Sequence, residues 1–212
     1  MKKLFLIAAF VSALFITEKA QAQLNINVGY APEFMTSENA TTGDTTFFFN
    51  GFYAGLNWKF DLADNLNLTA GAQYRMNLGD LSEHIYYGAG FVHHVIRQRQ
   101  TLVDIPIMLN YDIAASSKVT VSPFAGPMLS WGITGETKEQ WLYPLDTEFH
   151  HEWYDENGER NRFNVYGMAG VKVCFYRFTI SVGGRYGFLD LNKRDDTTTK
   201  AYGFFVSFGH DF

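Results

Sequence analysis

Large apolar residues alternate with small or polar ones in eight segments of this chain, and a strand with that period lies between two unlike surroundings. The last segment shows the pattern most plainly. From Ala201 to Phe212 the even positions are Tyr202, Phe204, Val206, Phe208, His210 and Phe212, and those between include Gly203, Ser207, Gly209 and Asp211. So apolar a strand left at a sheet edge would aggregate, and it must find a partner. Pairing with the first strand closes the sheet on itself. A closed sheet with its apolar face outward suits a bilayer, where every backbone polar group must be satisfied within the protein.

Four further segments keep even positions apolar or share that parity: Leu24–Met35, Phe48–Phe60, Leu66–Leu78 and Phe178–Phe188. Three use odd positions, in Val103–Ile113, Val119–Trp131 and Phe163–Val173. The opposite faces carry Asn, Gly, Ser, Thr and a few charges, while the bulky rings lie on the apolar face. The connections alternate in length. Asp61–Asn65, Ala114–Lys118 and the residues around Tyr176 are tight turns, whereas Ser37–Thr46, Gly79–Thr101, Thr134–Arg162 and Asp190–Lys200 are long and polar. Short turns on one side and long loops on the other are the sorting of an outer membrane barrel, with both termini on the periplasmic side. The expected fold is all-β, an eight-stranded antiparallel transmembrane β-barrel with short periplasmic turns and long extracellular loops. Trp58, Phe60, Phe178 and Phe212 should form the periplasmic girdle, and Tyr74, Trp131, Tyr186 and Tyr202 the external one.

The N-terminus fits export. Lys2 and Lys3, the apolar run Leu4–Ile16 and the small-x-small triplet Ala20-Gln21-Ala22 read as a signal peptide over 1–22, cut before Gln23. The barrel domain is then 23–212, located in the cell outer membrane of a Gram-negative cell. Removing three lysines and one glutamate from 17 basic and 22 acidic side chains leaves a net charge of −7, which argues against nucleic acid as a partner. The single cysteine, Cys174, has no internal disulfide partner.

Two motifs carry a family resemblance. Asp104-Ile105-Pro106-Ile107-Met108-Leu109-Asn110-Tyr111, followed after a short turn by Ser122-Pro123-Phe124-Ala125-Gly126-Pro127, resembles the central hairpin of the PorT-like outer membrane β-barrel proteins of Bacteroidota. Gly183-Gly184-Arg185-Tyr186 is similar to that family's seventh strand. The resemblance implies the barrel fold and the outer membrane. Its namesake is associated with secretion of proteins. The resemblance carries over fold and location and leaves the activity open, so the expected function is a structural or surface-interaction role, with an accessory of protein secretion as one form of it.

Four inward-facing charges stand out. Glu33, Arg75, Asp104 and Arg185 all fall, by strand counting, in the outer half of the lumen, either as a charged constriction or as an ionic plug. Eight strands leave little room for a channel, which favours the plug over a small-solute pore. Five of six histidines lie in two loops (His84, His93, His94, His150 and His151) without metal-ligand spacing, so no metal and no cofactor are expected. Ser82, Glu83 and His84, or Ser130, would be the material for a lipid-modifying site, yet neither G-x-S-x-G nor H-E-x-x-H occurs, and the chain is expected not to be an enzyme. The loops are aromatic, one locally basic and the other acidic, as a surface for a protein partner or for lipopolysaccharide would be. The final strand, ending on Phe212, looks like the signal by which the barrel-assembly machinery recognises its substrates.

Overall fold

The structure, a computed structural model, describes residues 23–39, 44–87, 90–142, 147–155, 158, 160–193 and 197–212. The signal peptide expected over 1–22 lies outside the described residues, as does Asn157 of the turn expected at Asn157-Gly158. The elements are β1 (Gln23–Tyr30), β2 (Glu33–Asn39), β3 (Thr45–Ala63), β4 (Leu66–Tyr87), β5 (Gly90–Tyr111), β6 (Ile113–Ser116), β7 (Val119–Leu142), β8 (Thr147–Glu152), β9 (Phe163–Phe175), β10 (Phe178–Gly187) and β11 (Thr197–Asp211). All described pairings are antiparallel, and apart from those of β1 and β2 with β11 they join strands that are near neighbours in the chain. Both β1 and β2 pair with β3 on one side and β11 on the other, so the two ends of the sheet meet. Among the described residues, β1 with β2 forms one wall strand, β6 continues β5 along β7 and β8 pairs with β7 alone, which gives eight wall positions.

Where β1 gives way to β2, the sequence supplies the reason. Pro32 has no amide hydrogen for the ladder, and the strand is interrupted at Ala31 and Pro32. Ala31 still donates its amide to the Gly51 carbonyl at 2.7 Å, and its own carbonyl accepts from Arg185 Nη2 at 2.9 Å. The tight turns fall at Asp64-Asn65, Ser117-Lys118 and Tyr176-Arg177. Tyr176 has φ 55°, the left-handed geometry favoured in primed hairpin turns, which Asp64-Asn65 and Ser117-Lys118 do without.

The wall has an apolar outer face. Phe52, Tyr74, Leu109, Trp131, Ile180, Tyr186, Phe204 and Phe208 are all exposed on it. Phe60 departs from its expected place in the girdle: it is only 7% exposed, next to the register shift at Asp61/Ala63 that breaks the strict alternation at the end of β3.

The lumen differs from expectation more deeply, because bulky rings fill it as well. Phe49, Phe124, Tyr166, Phe205, Met35, Met128 and Met168 form the buried apolar cluster, with Tyr53 and Met108 packed against it. Glycines on adjoining strands make the space. A Cβ on Gly29 would lie 2.5 Å from the Tyr53 ring, one on Gly170 would lie 2.7 Å from Phe124, and one on Gly183 2.7 Å from Phe205. Small and large residues thus alternate around the lumen as well as along each strand.

The segments expected as long loops are largely strand. β4 and β5 stay paired from Leu78↔Arg99 out to Tyr87↔Gly90, and β5 pairs with β7 out to His93↔Leu142. β8 adds a further strand there, so β4, β5, β7 and β8 rise as one sheet beyond the other strands. At the base of this extension β7 carries a bulge, where Thr101 pairs with Thr134 and Leu102 with Gly132. The extra residue reverses which parity faces inward: Ser130 is buried below it and Gly135 and Thr137 above it.

Candidate functional site

The structure brings Glu33, Arg75, Asp104 and Arg185 together from four different strands. Each is positioned by the alternation of its own strand, which turns it inward at the level of the Ala31-Pro32 interruption. Arg75 Nε donates to Asp104 Oδ2 at 2.6 Å and Nη1 to Glu33 Oε2 at 2.8 Å. Arg75 Nη2 reaches Asp104 Oδ1 and Ser130 Oγ, both at 3.3 Å, and Ser130 donates to Asp104 Oδ1 at 2.5 Å. Arg185 Nη2 lies 3.2 Å from Glu33 Oε2. The Arg75 and Glu33 side chains are 0% exposed. Two cations and two carboxylates cancel, the arrangement that makes charge tolerable away from water.

Sequence reasoning left out several members of this network. Tyr166 donates to Glu33 Oε2 at 3.1 Å, and both guanidinium carbons stand 5.8 Å from the centre of its ring. Asn77 Nδ2 donates to Glu33 Oε1 at 2.9 Å and to Gln100 Oε1 at 3.1 Å. Gln100 Nε2 in turn donates to Tyr154 Oη at 2.7 Å. Parity would have found Tyr166, an even position in a strand whose odd positions face out. Tyr154 had no such signal.

Tyr154 belongs to a cover. Between β8 and β9, Trp153 and Tyr154 fold down over the inward-facing glycines of β7, where a Cβ on Gly135 or Gly132 would meet their rings at 2.6 Å and 2.4 Å. Trp153 Nε1 donates to Thr137 Oγ1 at 2.7 Å, and its ring meets Phe49 edge-on at 6.2 Å. The Arg160 guanidinium carbon lies 3.7 Å from the centre of the Trp153 ring. Arg162 Nη2 donates to the Tyr154 carbonyl at 2.7 Å. Burial pushes the Tyr154 phenol above its ordinary value, against a smaller lowering by its bond with Gln100.

The histidines are spread over the sheet extension. His94 stacks on Trp141 with centroids 4.1 Å apart, and its Nε2 lies 3.7 Å from Glu139. His150 Nε2 is 3.1 Å from Glu136 Oε2. Among the described residues no group of three or more His, Cys, Asp or Glu is placed to hold a metal ion. The side chains of Ser82, Glu83, His84 and His93 lie outside the described residues. Ser130, the other serine considered for catalysis, is a buried donor in the ionic network.

No family model matches the chain, and no curated protein does. Solved structures similar to it are outer membrane barrels. Neisserial surface protein A is 13% identical, with 89% of this chain and 97% of that chain covered and a TM-score of 0.42. The outer membrane protease OmpT from Escherichia coli is 9% identical over 93% of this chain and 99% of its own, with a TM-score of 0.47. The outer membrane enzyme PagL is 12% identical over 86% and 97%, with a TM-score of 0.34. Two of these three are enzymes by name, which corrects the expectation that the chain is not an enzyme: missing G-x-S-x-G and H-E-x-x-H motifs do not exclude catalysis from this type of fold. At such identities the likeness concerns the fold and assigns no activity. The chain's own strand pairings show an all-β, antiparallel sheet whose two ends pair with each other.

Proposed function

We propose that this chain is an outer membrane barrel with a structural and surface-interaction role, sealed against solutes, that serves as an accessory of protein secretion. The observation that carries the reading is Arg75, fully buried between carboxylates of β2 and β5 and linked through Glu33 to Arg185 of β10. An ion crossing this level would have to part charges that no water replaces. Above it, Trp153 and Tyr154 cover the mouth, and both layers would have to open for a solute to pass.

In this reading both termini and the tight turns lie in the periplasm, and the extension of β4, β5, β7 and β8 stands at the cell surface. There it meets lipopolysaccharide and a protein partner, with exposed Phe149 beside Glu148 and Glu152 on β8. The barrel-assembly machinery recognises β11 with Phe212. The secretion role rests on the resemblance of Asp104–Tyr111 and Ser122–Pro127 to the PorT-like family. Purified protein in planar bilayers should show no stable conductance. Stable ion-sized steps altered by Arg75→Ala or Arg185→Ala would replace the sealed barrel with a small-solute pore. Photo-crosslinking in intact cells from position 149 should capture a distinct protein, and capture only from the periplasmic turns would move the contact to the other rim.

A further inference from the structure

Beneath the ionic network the lumen is not filled. A cavity of about 230 Å³ occupies the end where the tight turns lie, with Gln23 and Tyr176 exposed at its rim. None of the four charges of the ionic network lines it. Its inner end is formed by Tyr53, Phe124 and Phe205, rings that also pack into the buried apolar cluster.

The walls combine carboxamides with hydroxyls and balanced charge. Asn25 Nδ2 donates to Asp211 Oδ1 at 2.7 Å and to Thr179 Oγ1 at 3.1 Å, and Asn27 Nδ2 donates to Asn25 Oδ1 at 3.2 Å. From β3 to the end of β5, Lys59 Nζ donates to Asp112 Oδ2 at 2.8 Å and Asn110 Nδ2 to Thr69 Oγ1 at 2.9 Å. Two lysines, Lys59 and Lys172, stand against two carboxylates, Asp112 and Asp211. Two wall residues, Asn27 (5% exposed) and Asn57 (8% exposed), each bury a side-chain oxygen that has no hydrogen-bond partner. A buried carbonyl oxygen of this kind is costly unless a donor meets it.

We propose that this cavity is a binding site for a neutral, hydroxyl-rich solute of the size of one sugar ring. Such a ring has an apolar C–H face for Tyr53, Phe124 and Phe205, and an edge of hydroxyls that both donate and accept, as carboxamides do. With a turn of the carboxamide toward the cavity, a hydroxyl supplies the donor that Asn27 Oδ1 and Asn57 Oδ1 lack. The balanced wall charge gives an anion or a cation no net advantage. At roughly 30 Å³ per water, the space holds on the order of eight waters, which one ring would displace in large part.

Cys174 lines the same cavity, is partly exposed and is the one cysteine of the sequence, so it reports on occupancy. The full mature chain in a non-glycosidic detergent would be treated with iodoacetamide, alone and with glucose or gluconate. Glucose at about 50 mM should slow alkylation of Cys174 several-fold, consistent with a millimolar Kd, and gluconate should not. Saturation-transfer NMR should show contact to the glucose ring protons that disappears in Asn27→Leu and in wild-type protein already alkylated at Cys174. The second control needs no variant to fold. An unchanged alkylation rate in glucose would overturn the site, and equal protection by gluconate would overturn its selectivity for neutral ligands.

Discussion

Lys59 and Arg75 stand on neighbouring strands, both inward, and meet opposite surroundings. Lys59 lies 2.8 Å from Asp112 and 3.8 Å from Asp61, with 25% of its side chain exposed. Arg75 has no exposure and is held by two carboxylates, a serine and the face of a tyrosine. The lumen is therefore dry at one level and open to water at the other. Where water reaches, an ion pair adds little and its loss is tolerated. Where water is excluded, removing one partner strands the other.

That contrast can be broken by substitution. Arg75→Met should lower stability by about 3–5 kcal/mol, because Glu33 and Asp104 remain buried with too little countercharge. Urea unfolding in lipid vesicles would measure it, and a loss no larger than that at Lys59 would show that water enters the ionic network. A charge placed on the outside tests the faces themselves. Ile180, 54% exposed on the apolar side, should cost about 2–4 kcal/mol on Ile180→Arg. Ser181→Ala next to it should cost much less, and equal costs would mean inverted faces.

Smaller effects probe how the dry level is joined to its cover. Tyr154→Phe removes the Gln100 bond and should cost about 1 kcal/mol. The phenol adds a pH signature. An unfolded tyrosine ionises near pH 10, whereas burial raises the value for Tyr154, so its contribution is complete below about pH 10 and falls away as pH rises through the raised value. Tyr154→Phe should lessen the alkaline loss of stability in the same unfolding assay, and an unchanged alkaline limb would show that this phenol is not buried. Lys59→Met is the mildest change. It should cost at most about 1 kcal/mol and less at high salt, and a loss near that of Arg75→Met would erase the distinction between the levels.

Period-two alternation made the two faces of the wall legible, and with them the inward direction of Glu33, Arg75, Asp104 and Arg185. Counting along the strands gave the depth of these four, but neither signal reports how much water reaches a side chain, so the setting of Arg75 could not be told from that of Lys59. Inward rings such as Phe124 and Phe205 were hidden because apolar residues were read as facing out. Their signal was spatial: each sits over a glycine on the next strand, at Gly170 and Gly183. The sheet extension was hidden for another reason. Gly79–Thr101 has polar residues on both faces, so the contrast that marks a strand in lipid vanishes although the ladder continues. The bulge beside Ile133 then swaps parity, which placed Trp153 and Tyr154 beyond the reach of simple counting.

Phe212 donates its amide to the Leu24 carbonyl at 2.9 Å, a contact that spans nearly the whole described chain. The seam at β1 and β11 therefore has the greatest sequence separation of any in the sheet, and loop-closure entropy makes it the last to form on a random search. A chain reopened at the Tyr176-Arg177 turn and rejoined across this seam would keep every ladder. It would also turn that most distant contact into a local one. Such a permuted barrel should reach the same final stability, with the slow step passed from this seam to the β9 and β10 ladder at the reopened turn.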